Sequence, residues 1–265
     1  MNRNRVALIT GGGSGIGRSA AIKFADNGFH VVVADVNLNA AKETVLLLKT
    51  EGLALEVDVS NEVSVKKMMD AIIQKFEFLD VAFNNAGVEG LRLNIDEYPT
   101  EMFNKVIDVN LKGIWLCMKY ELKQMLKQDL IIADPSKWRN KADFSKYKGS
   151  RGSIINTSST AGFTGMPEFS PYCASKWGII GLTQTAAKEY AANGIRVNAV
   201  CPATTNTTMR DRFKNQWPDW QTATDARYPV GRICTPEEVA EAVFWLASDA
   251  CPFATGEYLK LSGGM

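Results

Sequence analysis

Short apolar runs alternate with longer amphipathic stretches along most of the chain, and the alternation predicts an architecture. Arg5 to Thr10 (RVALIT) is apolar and short enough for a buried strand, and a helical period follows from Arg18 to Asn27. The same alternation repeats: strand Phe29 to Ala34, helix Leu38 to Thr50, strand Leu53 to Val57, helix Glu62 to Phe76, strand Leu79 to Phe83. A long helical pattern, Glu101 to Gln128, is expected to kink near Gly113. Strand Ser153 to Ser158, helix Pro171 to Ala192 and strand Ile195 to Val200 come next. Thr235 is placed to cap a helix running from Pro236 to about Ser248, and a last strand spans Glu257 to Leu261. Strands alternating with helices predict an α/β fold with a parallel, doubly wound sheet in one domain, residues 1–265.

Two stretches break the pattern. Residues 129–151 are polar, basic and weakly periodic, and read as an inserted loop carrying Trp138. Residues 201–235 form a long connection after the sixth strand. In an open parallel sheet, ligands bind outside the carboxyl ends of the strands. The 201–235 connection leaves such an end and is the expected substrate lid, with Phe213, Trp217, Trp220 and Tyr228 as an apolar wall. The 129–151 insertion runs from helix to strand, so it is expected at the opposite edge, serving subunit contact, local packing or nothing measurable.

Composition narrows the function classes. The net charge is +1 with no long run of one sign, which points away from nucleic acid and anionic membranes. No apolar run approaches the roughly 20 residues that span a bilayer. The first residues run straight into a strand pattern, so no signal peptide is expected. Five unclustered cysteines suggest reduced thiols and a cytoplasmic setting, and Cys173 is read as a packing residue. The only histidine, His30, is expected at a strand end; a His-rich metal site is impossible, and no metal is expected.

Two constellations carry chemistry. The first is Gly11-Gly12-Gly13-Ser14-Gly15-Ile16-Gly17 between a strand and a helix. Glycines there let backbone approach a pyrophosphate, and the helix N-terminus offers free N–H groups. Asp35, at the end of the second strand, suits the hydroxyls of an adenosine ribose, which favours NAD over NADP. The second is Tyr172 and Lys176, one helical turn apart on one face. An ammonium beside a phenol favours the phenolate and lowers its pKa, giving a tunable proton donor and acceptor. Ser159, just past the fifth strand, is placed to hydrogen-bond a substrate oxygen facing the tyrosine.

On these residues the chain resembles the classical short-chain dehydrogenase/reductase family over nearly its whole length. Thr10-Gly11, Gly15-Ile16-Gly17, Asp58, Asn84-Asn85-Ala86-Gly87, Asn110, Ser159, Tyr172 and Lys176 fall in the family's order and approximate spacing. The resemblance implies a Rossmann-type sheet of seven parallel strands with helices on both faces. It also implies reversible hydride transfer between NAD and a small-molecule secondary alcohol or ketone. Tyr172 then exchanges the proton, Lys176 lowers its pKa and holds the nicotinamide ribose, Ser159 steadies the substrate oxygen, and Asn110 holds a relay water. Implied cofactor contacts are Gly11, Ser14, Gly15, Ile16 and Gly17, with Asp58 and Val59 at adenine, Asn85, Ala86 and Gly87 at the adenosine side, Pro202, Thr205 and Thr207 near the nicotinamide amide or phosphate, and Tyr172 and Lys176 themselves. Ser14 stands where a basic residue often marks NADP users in the family. A homotetramer or homodimer is implied, with the helices starting at Glu101 and Pro171 forming the main contact. The chain departs from the family at Ala203, where glycine usually follows the proline, and at Ser262, where aspartate often precedes Gly-Gly. Two other readings are a 3-oxoacyl-thioester reductase whose carrier docks on Arg210, Arg212 and Lys214, and a non-catalytic dinucleotide sensor.

Overall fold

The structure is a computed structural model and describes residues 3–131, 149–216 and 227–265. Seven parallel strands form one sheet: β1 (Val6–Thr10), β2 (His30–Asp35), β3 (Gly52–Glu56), β4 (Val81–Asn84), β5 (Gly152–Thr157), β6 (Ile195–Pro202) and β7 (Tyr258–Leu261). Their order is β3-β2-β1-β4-β5-β6-β7, so the winding direction reverses between β1 and β4. A crevice at such a reversal is where doubly wound folds take a ligand. The central strands end level: Thr10 pairs with Asn84, Asn84 with Asn156, and Asn156 with Ala199. The loops that leave β1, β4, β5 and β6 therefore open at one height.

Two helical layers cover the sheet. On one face, α1 (Gly15–Asp26) and α8 (Pro236–Ala247) bury Phe24, Val239 and Val243 against Ile9, Val33, Phe83 and Ile155. Phe24 meets Phe29 and Phe244 edge-on, with ring centroids 5.2 and 5.4 Å apart. On the other face, α3 (Glu62–Phe76), α5 (Gly113–Met125) and α6 (Ser170–Tyr190) pack Met68, Ile72, Leu116, Met125 and Ile179 over Leu8, Val32, Ala82 and Ile154. The helix α2 (Leu38–Leu46) lies beside β2 and β3, and α4 (Thr100–Ile107) leads into α5. A short α7 (Thr208–Gln216) follows β6.

Local chemistry explains the element ends. Asn61 caps α3 by accepting from Ser64 N at 3.1 Å, and Glu77 closes it in the left-handed region. Thr235 and Glu238 form a reciprocal capping box at α8. The second helix stops at Leu46, before the expected Thr50, because Val45 and Leu48 turn onto Gly52 where β3 begins. The expected kink near Gly113 is a π-helical turn, Asp108–Lys112, between α4 and α5. His30 opens β2 with its ring stacked on Phe76 at 5.5 Å. Ile131 and Ser150 pair antiparallel and close the base of the 129–151 insertion. That base lines a small cavity with Arg5, Asp80 and Ser153, at the amino ends of β1, β4 and β5. Trp138 and the rest of 132–148 lie outside the described residues, as do Trp217 and Trp220.

Candidate active site

The glycine turn after β1 is shaped by contact, not by composition alone. A Cβ at Gly17 would stand 2.1 Å from the Gly11 carbonyl oxygen, and Gly11 itself has φ +62°. Both positions require glycine for α1 to start this close to β1. Ser14 precedes α1 in extended backbone and its side chain makes no capping bond, so the first-turn N–H groups of α1 keep their ability to bind an anion. Asn85 ties the turn to β4, its Nδ2 donating to the carbonyls of Thr10 and Gly11 at 3.3 Å. The Thr10 hydroxyl accepts from Asn85 N and Ala86 N at 3.0 and 3.2 Å.

A groove of about 900 Å³ runs from this turn along the carboxyl ends of the strands. Gly11, Ser14, Gly15, Ile16, Asp35, Asp58, Val59, Asn85, Ala86, Gly87 and Thr207 all line it, whereas Gly17 is buried behind the turn. Asp35, which lines the groove, accepts from Gly13 N and Asn37 N, both at 2.9 Å, so its carboxylate is fixed by two backbone donors. Asp58 accepts from Ser60 N and Oγ at 2.9 and 2.6 Å. Thr207 packs its methyl against Gly15, bringing the loop after β6 onto the glycine turn. The donor set, the glycine approaches and the carboxylate fit a nicotinamide dinucleotide.

The groove continues into a cleft lined by Ser159, Tyr172, Lys176, Pro202, Ala203, Thr204 and Thr205, with Met166 and Phe169 as apolar wall. Ser159 sits two residues past β5, where its hydroxyl accepts from Ala161 N at 3.2 Å and favours the Tyr172 phenolate. Tyr172 and Lys176 lie one turn apart in α6, as their spacing predicts. Lys176 is buried, donates to the Thr157 carbonyl at 2.8 Å, and has Nζ 5.5 Å from the Tyr172 ring centroid.

Burial dominates the electrostatics of this pair in the protein alone. Desolvation pushes the Tyr172 phenol up to about 12, opposed by its Ser159 hydrogen bond, and burial pulls Lys176 down to about 8. In the protein alone, burial is the largest influence on both groups, and Tyr172 is a neutral proton donor at neutral pH.

Asn110 falls in the π turn and is fully buried. Its Oδ1 accepts from Val88 N at 2.7 Å, and its Nδ2 donates to Val88 O at 2.8 Å and Ser175 Oγ at 3.3 Å. Its side chain thus fastens the loop after β4, and Ser175, which donates to Tyr172 O at 2.7 Å, links it to the start of α6.

Several contacts at the site gave no signal in the sequence. Glu89, in the loop after β4, raises Tyr172 further and holds Arg212 of α7 in a two-point ion pair at 2.7 and 3.0 Å. Arg92 pairs with Glu168, a non-glycine residue at φ +71°. Thr204 and Tyr228 are joined hydroxyl to hydroxyl at 2.8 Å, which fastens the far foot of the 201–235 connection to the cleft. The Ala203 N–H donates to Leu261 O at 3.0 Å, and Gly263 packs on Val230, so the turn after Ser262 buttresses that same foot.

Two family models match the chain. The short chain dehydrogenase model covers residues 5–132, and one described as enoyl-(acyl carrier protein) reductase covers residues 140–265. A 2,5-dichloro-2,5-cyclohexadiene-1,4-diol dehydrogenase of Sphingobium indicum is 34% identical over 98% of this chain and 96% of its own length. A cyclohexanol dehydrogenase of an Acinetobacter species is 36% identical over 98% and 94%. Among solved structures, ElxO with NADP bound superposes with a TM-score of 0.83 at 30% identity, covering 98% of both chains.

Proposed function

The chain belongs to the short-chain dehydrogenase/reductase family and is an oxidoreductase of that type, and on that premise we propose that it interconverts a small secondary alcohol, cyclic in preference, with its ketone, using NAD. One observation carries the reading: Ser159, Tyr172 and Lys176 converge in a cleft continuous with the glycine-turned groove. A nicotinamide dinucleotide bound in that groove supplies or accepts the hydride.

The chain's own residues handle the rest. In reduction, Tyr172 donates its phenolic proton to the carbonyl oxygen, and Ser159 hydrogen-bonds that oxygen and the phenol. In oxidation the phenolate takes the proton back, a state the protein alone disfavours. Lys176 stands one turn away to stabilise it, and Asn110 fixes the start of α6 beside them through Ser175; the relay water expected at Asn110 would then lead the proton towards Lys176. Met166 and Phe169 keep water from one wall of the cleft. The complete proton-handling set favours an enzyme over a dinucleotide sensor.

Asp35 supports NAD, because a 2′-phosphate there would meet a carboxylate already fixed by two backbone donors. The cyclohexanol and cyclohexadienediol relatives support a ring substrate. The acyl-carrier reading is weaker, since Arg212 is already paired to Glu89; the side chain of Lys214 lies outside the described residues. Exposed Trp115 on α5, Leu126 just past its end and Trp177 on α6 support assembly through those helices into a homotetramer or homodimer. No helix among the described residues is long and apolar enough to cross a membrane, and five unpaired cysteines support a reducing, cytoplasmic setting. The test is turnover with NADH and NADPH over a panel of cyclic ketones, linear ketones and 3-oxoacyl thioesters. Selective turnover of the thioesters, or none of any substrate, sinks the proposal.

A further inference from the structure

Beneath α5 and α6 the sheet holds a buried acid that the proposed reaction does not use. Glu121 of α5 is fully buried over the ends of β4 and β5. Its Oε2 accepts from Asn84 Nδ2 at 3.0 Å, and the same amide nitrogen donates to Asn156 Oδ1 at 3.1 Å. Asn156 Nδ2 in turn donates to Thr183 Oγ1 at 3.0 Å and to Met118 Sδ at 3.2 Å. Both amide nitrogens have thus used their two hydrogens, while two buried oxygens, Glu121 Oε1 and Asn84 Oδ1, have no partner. Those oxygens belong to groups already hydrogen-bonded to each other. One proton on Glu121 Oε1, donated to Asn84 Oδ1, satisfies both at once.

We propose that Glu121 carries that proton, and that the resulting acid–amide pair makes it a positioning residue for the carboxyl ends of β4 and β5. Asn84 and Asn156 are register partners. The residues that follow Asn84 line the groove, and Thr157, which follows Asn156, holds Lys176 through its carbonyl. A ladder that fixes both asparagines therefore fixes the groove floor relative to Lys176. The surroundings agree with a neutral acid. Burial pushes the Glu121 carboxyl up to about 8, opposed by Asn84. Among the described residues its hydrogen-bond network is uncharged: Asn84 from β4 and, through it, Asn156 from β5 and Thr183 from α6. The titratable neighbour on its own helix, Cys117, is raised well above the usual thiol range by burial and by Glu121. An ionised Glu121 would leave a buried charge with one hydrogen bond, which is costly.

The test has three arms, of which only the last depends on the proposed reaction. In the first, wild type and Glu121→Gln are melted from about pH 5 to pH 9. Glutamine offers the same donor and acceptor without ionising. The unfolded carboxyl ionises near 4.5 and the folded one near 8. Stability from this proton is therefore full below the lower value and is lost as pH rises to the upper. The expected result is a melting-temperature gap that widens in favour of glutamine from about pH 5 to pH 8; a constant gap overturns the proposal. In the second arm, isotope-edited infrared difference spectra of wild type minus Glu121→Gln should contain a protonated-carboxyl band near neutral pH. A carboxylate band alone overturns it. In the third, Glu121→Leu leaves Asn84 Oδ1 without a donor and should lower kcat/KM by about 10- to 100-fold through misplacement, with glutamine restoring it. A leucine variant that folds and keeps wild-type kcat/KM refutes the positioning role while leaving the family reaction untouched.

Discussion

The two faces of the sheet are built to different rules. Under α1 and α8 the core is dry: Ile9, Val33, Phe83 and Ile155 meet Phe24, Val239, Val243 and Leu246. Under α5 and α6 the same strands present apolar residues further back, but at their carboxyl ends they bury Asn84, Asn156, Glu121, Thr183 and Lys176. A dry face needs only volume and shape, and it fixes the strands as a rigid platform. A polar face needs every donor and acceptor matched, and in return it specifies position. The proposed reaction machinery hangs from the polar face. The dry face should therefore answer mutation with stability, and the polar face with rate.

The sharpest test of that division starts with Tyr172→Phe. The ring and its packing remain while the only proposed acid is removed, so kcat should fall by about 10²- to 10⁴-fold. Binding of NADH, followed by fluorescence titration, should hardly change. A phenylalanine variant with wild-type kcat across pH ends the proposed mechanism.

Phe24→Ala probes the other face. Its ring is fully buried between Phe29 and Phe244, and such truncations cost about 3–5 kcal/mol. Chemical denaturation should report that loss, whereas kcat and KM per folded molecule should stay at wild-type values. A kinetic defect in the folded variant would mean that the two faces are not separable.

Asp35 gives a smaller effect, confined to one substrate. A like-charge contact with a 2′-phosphate costs several kcal/mol, so kcat/KM should favour NADH over NADPH, and Asp35→Asn should narrow the ratio. Equal values for the two cofactors in wild type would refute the NAD assignment.

The division also explains what could be read before folding. The dry face follows from apolar periodicity, and α3 matched its expected span, Glu62 to Phe76, because Asn61 and Glu77 mark its ends locally. The glycine turn, Asp35 and the Tyr172–Lys176 spacing were readable because each depends on one or two neighbouring elements. The direction of the Tyr172 shift was not, since desolvation depends on everything packed around the cleft. Glu121 was invisible for the same reason. Within Lys119-Tyr120-Glu121-Leu122-Lys123 it looks like one more charge on a solvated helix face. Only the packing of α5 on β4 turns it inward. Glu89 and Arg212 lie 123 residues apart, and no local pattern connects them.

The smallest expected effect belongs to the 129–151 insertion, whose described base sits at the amino ends of the strands. Its base is closed by Ile131 and Ser150, whose N–H groups each donate to the other's carbonyl, at 2.8 and 2.9 Å. Arg151 continues the anchor by donating from its backbone to Gly194 O at 2.7 Å. These contacts lie at the amino ends of the strands, beside Arg5 and Asp80, whereas the cleft opens at the carboxyl ends. Replacing residues 134–146 with a short Gly/Ser linker leaves that base intact. Loop-closure entropy changes by only about 0.6 kcal/mol for each doubling or halving of length, so the melting temperature should move little unless the segment makes contacts of its own. KM and kcat per folded site should stay at wild-type values, and light scattering should show whether assembly needs the segment. Loss of assembly with unchanged KM would assign the insertion to subunit contact. A changed substrate preference in a folded, fully assembled enzyme would show that it reaches the cleft, and the separation of the two sheet edges would then fail as a guide to function.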